Sequence, residues 1–132
     1  MATISVVIAS RKNAGMLAVC LSALARQTRP ADEIVVIDNS STDNTAEVCA
    51  AAGARRIAVE LPGIAASTAY GFDEARGGLI ARLDTGSIPP ADWLERVEAI
   101  LERAGPAVRR VRSRRLLRRN PAGWHSVGRR LA

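Results

Sequence analysis

The sequence predicts an α/β fold: a mostly parallel sheet of about four strands with helices on both faces. Three observations predict it. Short runs rich in Val, Ile and Leu recur at 3–9, 33–38, 55–60 and 79–84. Each is followed by a stretch whose apolar or small residues recur at helical spacing. The first two runs are apolar nearly throughout instead of alternating, as strands buried on both faces are. Strands alternating with helices imply parallel pairing, and right-handed crossovers then set the hand of the fold.

The elements follow in order. "TISVVIA" at 3–9 is dominated by β-branched residues and opens the sheet. Leu17, Leu21 and Leu24, with Cys20, mark a helix across 14–27. "EIVVID" at 33–38 is the second buried strand. "SSTDNTAEVCAAAGA" begins with capping residues and stops at Gly53, so it carries both a start and a stop signal. "RRIAVE" at 55–60 is a third, weaker strand. Pro62-Gly63 turns the chain into a helix of small residues over about 64–76, closed by Gly77-Gly78. "LIARLD" at 79–84 is the fourth strand. The loop "SIPPAD" leads into a helix over 91–104, striped by Leu94, Val97, Leu101 and Ala104 and ended by Gly105-Pro106.

A chain of 132 residues suits one domain, and 48% hydrophobic residues suffice for a core. Aromatics make up 3%, so that core is aliphatic. The net charge of +6 divides sharply along the chain. Ten basic and thirteen acidic residues lie within 1–108, against nine arginines and no acid in 109–132. The reading is a folded domain over 1–105 and an Arg-rich basic tail over 106–132, disordered or loosely helical. Residues 109–130 are expected to attract a polyanion, either nucleic acid or an anionic membrane face. A change of reading frame is a second origin for so abrupt a loss of acids. No apolar run reaches 18 residues and the start lacks a signal-peptide pattern, so a cytoplasmic protein is expected, with the inner membrane face as the alternative. Cys20 and Cys49 fall in helical patterns without metal-ligand spacing and are expected to be buried thiols.

In sheets of this kind ligands bind beyond the carboxyl ends of the strands, where the strand order switches. Those ends read Ala9-Ser10-Arg11, Asp38-Asn39-Ser40 and Asp84-Thr85-Gly86. A dinucleotide site would need glycines in the first turn, but "ASRKNAG" offers Gly15 alone. There is no P-loop and no G-x-S-x-G, and the single histidine, His125, sits in the basic tail as a solvated residue.

Two long segments carry a resemblance. "SVVIASRKNAGMLAVCLSALARQTRPADEIVVIDNSSTDNTAEV" and "GIAASTAYGFDEARGGLIARLDTGSIPPADWLE" resemble the N-terminal half of a family-2 glycosyltransferase of the GT-A fold, over roughly residues 3–104. The likeness includes a "Q-T" turn, a "V-D-[DN]-[GS]-S-T-D-x-T" stretch, an acidic D-x-D and a "P-x-x-W-L" segment. It implies a three-layer, Rossmann-like nucleotide-sugar-binding half and an enzyme of the hexosyl-transfer type acting on a UDP- or GDP-sugar. It further implies that Ala9, Ser10 and Arg11 line the base pocket, that Asp38 accepts from an N–H of the base, and that Asn39 is among the nucleotide-sugar contacts. Asp84 matches the first acid of D-x-D, facing the ribose and a Mg²⁺ or Mn²⁺ ion.

This sequence departs from that pattern at several positions. The second acid of D-x-D is Gly86, which has no ligand to offer, so the metal assignment rests on Asp84 alone. Ala9 stands where proline is common and Lys12 where asparagine is. The "A-R-N" of the central helix reads Ser67-Thr68-Ala69. The general base and most of the acceptor site are expected in a second half beyond this chain, since residues 105–132 contain no Asp or Glu. An exposed apolar patch near the fourth strand is expected where that half would pack. Two alternatives to a donor-binding transferase domain remain at this point. One is a non-catalytic remnant or partner subunit completed by a second polypeptide. The other is a polyanion binder acting through the Arg tail.

Overall fold

A computed structural model of the protein describes residues 3–104, 110–112 and 126–129. The elements are β1 (Ile4–Ser10), α1 (Ala14–Ala25), β2 (Glu33–Asn39), α2 (Thr45–Ala52), β3 (Arg55–Val59), α3 (Ile64–Glu74), β4 (Leu79–Asp84), α4 (Trp93–Ala104), β5 (Arg110–Arg112) and β6 (Ser126–Arg129). The strands form one sheet in the order β3-β2-β1-β4-β6-β5. β1 lies parallel to both β2 and β4, and β2 lies parallel to β3. These four strands and four helices are the α/β arrangement expected from the sequence.

Beyond β4 the sheet changes sense. β6 runs antiparallel to β4, and β5 antiparallel to β6. Residues 110–112 and 126–129 of the basic segment are therefore strand, where a disordered or loosely helical tail was expected. β4 still had unpaired backbone groups on that side, and a strand of any side-chain composition can satisfy them. The rest of the expected tail lies outside the described residues. No helix among the described residues is long and apolar enough to cross a membrane.

The near-continuous apolar character of β1 and β2 is explained by two cores, one on each face. Ile4, Val6 and Ile8 pack with Leu17, Cys20, Leu21 and Leu24 of α1, Cys49 of α2, and Trp93, Leu94, Val97 and Leu101 of α4. Val7, Val35, Ile37 and Ile80 pack on the other face against Phe72 of α3 and the adjoining Ala75. Each such aliphatic side chain contributes about 1.5–3 kcal/mol on burial. Trp93 of the "P-x-x-W-L" segment is the largest fully buried side chain among the described residues.

Among the described residues α3 is the one helix on its face, and its small residues let it lie close. A Cβ on Gly71 would stand 2.4 Å from Val7 Cγ1 and 3.0 Å from Ile37 Cγ1. The helix thus sits nearer the sheet than any residue with a side chain at 71 would permit. The "Q-T" turn has an equally local cause. Gln27 Nε2 donates to the Pro90 carbonyl at 2.7 Å, while its Oε1 accepts the Leu94 N–H at 3.0 Å. Thr28 N–H donates to the Ala91 carbonyl at 2.8 Å. Two residues after α1 therefore hold the loop before α4 and satisfy one of the otherwise unpaired N–H groups of that helix's first turn.

Candidate functional site: a cleft at the carboxyl ends of the strands

The chain builds β1, β2 and β3 outward in one direction, then crosses back to lay β4 on the opposite side of β1. That reversal is the switch point at which open α/β sheets leave a crevice. A cleft of about 260 Å³ opens there, lined by Ala9, Ser10, Arg11 and Asn13 after β1, Asn39 of β2, Gly63, Ile64 and Ser67 at the start of α3, and Thr85 after β4. Of the residues predicted from sequence, Ala9, Ser10, Arg11 and Asn39 come together. Thr85 belongs to a strand end read from sequence, whereas Asn13, Gly63, Ile64 and Ser67 were not anticipated. The Pro62-Gly63 turn was the available signal for the α3 contribution.

Asp38 does not line this cleft. Side chains alternate along a strand, and this one falls on the α2 face with Cys49. It is 2% exposed and pairs with Arg56 Nε at 2.7 Å, while Oδ1 accepts the Ser41 N–H at 3.2 Å. Burial, aided by the Asp38 charge and opposed by Arg56, pushes the Cys49 thiol up. Its carboxylate instead braces β3 and the turn after β2. Asn39, one residue on, lies at the cleft. Its Nδ2 donates to the Leu61 carbonyl at 2.8 Å and its Oδ1 accepts the Leu61 N–H at 3.1 Å, fixing the connection that leads into α3.

The loops around the cleft are strained and stitched together. Lys12 and Ser40 are non-glycine residues in the left-handed region, with φ of 52° and 57°. Each such residue costs on the order of 1–3 kcal/mol. Lys12 N–H donates to Ser41 Oγ at 2.9 Å. Asp43 accepts the Ala14 N–H at the start of α1 (3.1 Å) and the Thr45 N–H at the start of α2 (3.2 Å), as well as the Thr45 hydroxyl. These bonds, led by that of the Thr45 hydroxyl, hold the Asp43 carboxyl below the usual carboxylate range. The "S-T-D-x-T" stretch is thus a double helix cap.

Two features of the cleft leave donors available. α3 begins at Gly63, whose φ of 92° suits glycine, and it has no side-chain cap and no acidic residue in its first turn. The first-turn N–H groups precede the Ser67 N–H to Gly63 carbonyl bond (3.3 Å) and face outward from the helix start. Ser10 is 3% exposed, and among the described residues its Oγ has no hydrogen-bond partner. A buried hydroxyl left unmatched is costly, and here it borders a cleft.

Asp84 ends β4 opposite Ala9 in the register. Arg82 Nη2 stands 3.8 Å from its Oδ1. Cys20 Sγ lies 3.8 Å from the Asp84 carbonyl, and burial first, then the Asp84 charge, pushes that thiol up to about 12. Among the described residues no group of three or more His, Cys, Asp or Glu is assembled that could hold a metal ion. The expected metal role of Asp84 thus gains no second carboxylate from position 86, which is Gly86. A neighbouring apolar cleft of about 210 Å³ shares Thr85 and is lined by Met16, Val19 and Ile88, all more than 40% exposed. It is an apolar patch beside the end of the fourth strand.

The comparisons with known proteins agree with this architecture. The model of glycosyl transferase family 2 matches residues 5–126. Glycosyltransferase AglE of Haloferax volcanii is 31% identical over 101 residues, which is 70% of this chain and 33% of that protein. Glucosyl-3-phosphoglycerate synthase of Mycobacterium tuberculosis, solved with Mn²⁺, UDP and glucosyl-3-phosphoglycerate, superposes with a TM-score of 0.68 at 22% identity, covering 83% of this chain and 42% of that one. The mannosyltransferase PcManGT of Pyrobaculum calidifontis, solved with GDP-Man and Mn²⁺, gives 0.69 at 23% identity, covering 83% and 34%. The chain thus spans between a third and about two fifths of the length of these relatives, which share its GT-A, Rossmann-like fold. With a family match that runs from β1 to the start of β6, the chain belongs to glycosyl transferase family 2.

Proposed function

We propose that the cleft binds the nucleoside diphosphate portion of a nucleotide sugar, as the donor site of a glycosyltransferase. The observation that carries this reading is the meeting of Ser10, Arg11, Asn39 and the uncapped start of α3 at the switch point of the sheet. Small-molecule sites span roughly 300–1,000 Å³. A cleft of about 260 Å³ suits part of the nucleotide, with the sugar extending past Thr85. Ala9 leaves room beside the strand end for a flat base. Asn39, already bonded to Leu61, shapes the wall. Arg11 and the α3 N–H groups supply positive potential for phosphate oxygens.

In glycosyl transfer an acceptor oxygen attacks the anomeric carbon, the bond from that carbon to the diphosphate breaks, and the nucleoside diphosphate leaves with the electron pair. The acceptor's proton goes to a base. Among the described residues that line the cleft there is no carboxylate and no imidazole. The reading therefore assigns donor binding and leaving-group stabilisation to this cleft and places no proton transfer on it. The same lining favours, as a second reading, a nucleotide binder without turnover of its own.

Calorimetric titration with UDP, GDP and their hexose conjugates tests the proposal. Ser10→Ala is expected to weaken binding by about 1–2 kcal/mol without lowering the melting temperature, because the hydroxyl has a partner only when ligand is present. Equal affinity in the variant, or no nucleotide binding by the parent protein, refutes it. Release of nucleoside diphosphate from a hexose conjugate separates the transferase from the silent binder.

A further inference from the structure

Both solved relatives described above hold Mn²⁺ together with a nucleotide, yet the donor set here does not match one. Cation sites for diphosphates use carboxylates together with the phosphate oxygens. In this chain Asp84 is followed by Thr85 and Gly86, Arg82 already stands 3.8 Å from the Asp84 carboxylate, and Thr85 rather than Asp84 borders the cleft. Residues 105–132 hold no acid that could complete a set.

The cleft carries a different means of meeting negative charge. α3 is 11 residues long, begins with an uncapped glycine and has no acid in its first turn, so neither a cap nor an acid there offsets its N-terminal partial charge. The Ser10 hydroxyl, 3% exposed and without a partner among the described residues, lines the same space. Arg11 lines it as well, and a guanidinium presents paired donors that match phosphate oxygens.

We infer that the diphosphate is bound here without a divalent cation, its charge met by Arg11, the Ser10 hydroxyl and the first-turn N–H groups of α3. The inference rests on the donor-site reading above and adds how that site handles charge. Fixed donors of this kind are already oriented when the ligand arrives, and they stabilise a departing diphosphate as they stabilise a bound one.

The test is titration of UDP and GDP into the full chain, once in excess EDTA and once in millimolar Mn²⁺. The expected dissociation constants agree within about twofold, and Arg11→Ala weakens binding about tenfold in EDTA. Gly86→Asp, which restores an acid two residues after Asp84, is expected to make Mn²⁺ tighten binding about tenfold. Binding by the parent protein that needs Mn²⁺, or an Arg11→Ala variant unchanged in EDTA, overturns the inference while the donor site stands. Absence of nucleotide binding under both conditions overturns the donor site and the inference together.

Discussion

The two ends of the sheet are built on opposite principles. At the amino end polar groups close on one another. Asp32 accepts the Ile4 N–H at 2.7 Å and pairs with Arg29, which also reaches Glu98 at 2.9 Å. Glu33 accepts from Ser5 Oγ (2.9 Å) and from the Arg76 N–H (3.0 Å), and Ser5 Oγ in turn accepts the Gly77 N–H at 2.8 Å. Arg55 spans Glu33 and Glu74 beside them. At the carboxyl end the chain tolerates two left-handed non-glycine residues, an unmatched buried hydroxyl and an uncapped helix. Dense pairing at one end, where Arg55 Nε alone of these groups lacks a partner among the described residues, and open valence at the other is the division of labour expected when one end holds the fold and the other holds a ligand.

The largest expected effect tests the closed end. A Cβ at Gly77 would meet the Ser5 backbone N and Oγ at 2.7 Å. Gly77→Ala is expected to cost about 2–3 kcal/mol, read as a lower urea midpoint, with nucleotide affinity of the folded fraction unchanged. A ligand effect as large as the stability effect would erase the contrast between the ends.

A smaller effect sharpens the boundary inside the carboxyl end. Asp38→Ala removes the partner of Arg56, which is one-third exposed and can turn to water. The expected loss is about 1–2 kcal/mol of stability, again with nucleotide affinity kept. A selective loss of affinity would return Asp38 to the ligand.

The smallest effect compares the ends by pH. The Ile4 N–H and then Arg29 hold the Asp32 carboxyl below its ordinary range, and Asp43 is held low by the Thr45 hydroxyl and two backbone N–H groups. A depressed carboxyl contributes stability that is full above its unfolded pKa and lost as pH falls through its folded one. Thermal melts are therefore expected to be level at neutral pH and to drop in the acid range. Asp32→Asn and Asp43→Asn should each flatten part of that drop.

The same contrast explains what could be read from sequence. All four parallel strands and their helices were legible because apolar periodicity reports burial, and burial is nearly total in β1 and β2. Ser10 and Arg11 were legible because a strand's end is readable once the strand is. The placement of Asp38 was not legible, because a carboxylate closing a strand looks alike whether it faces a ligand or an arginine from a neighbouring strand. The one-residue alternation that separates it from Asn39 emerges when Arg56 and Cys49 are placed beside it. Gly63 and Ser67 went unnoticed because a helix's start points at a cleft through tertiary placement alone. β5 and β6 escaped because their pairing is with β4 and each other, and arginine-rich sequence advertises charge instead of strand.

Asp43 joins the start of α1 to the start of α2 through a single side chain. The two rims it ties are held as one part. Transplanting residues 10–14 from a relative to reshape the cleft would leave the graft unanchored unless residues 41–45 travel with it, and loop exchange in this scaffold should be planned in that paired unit.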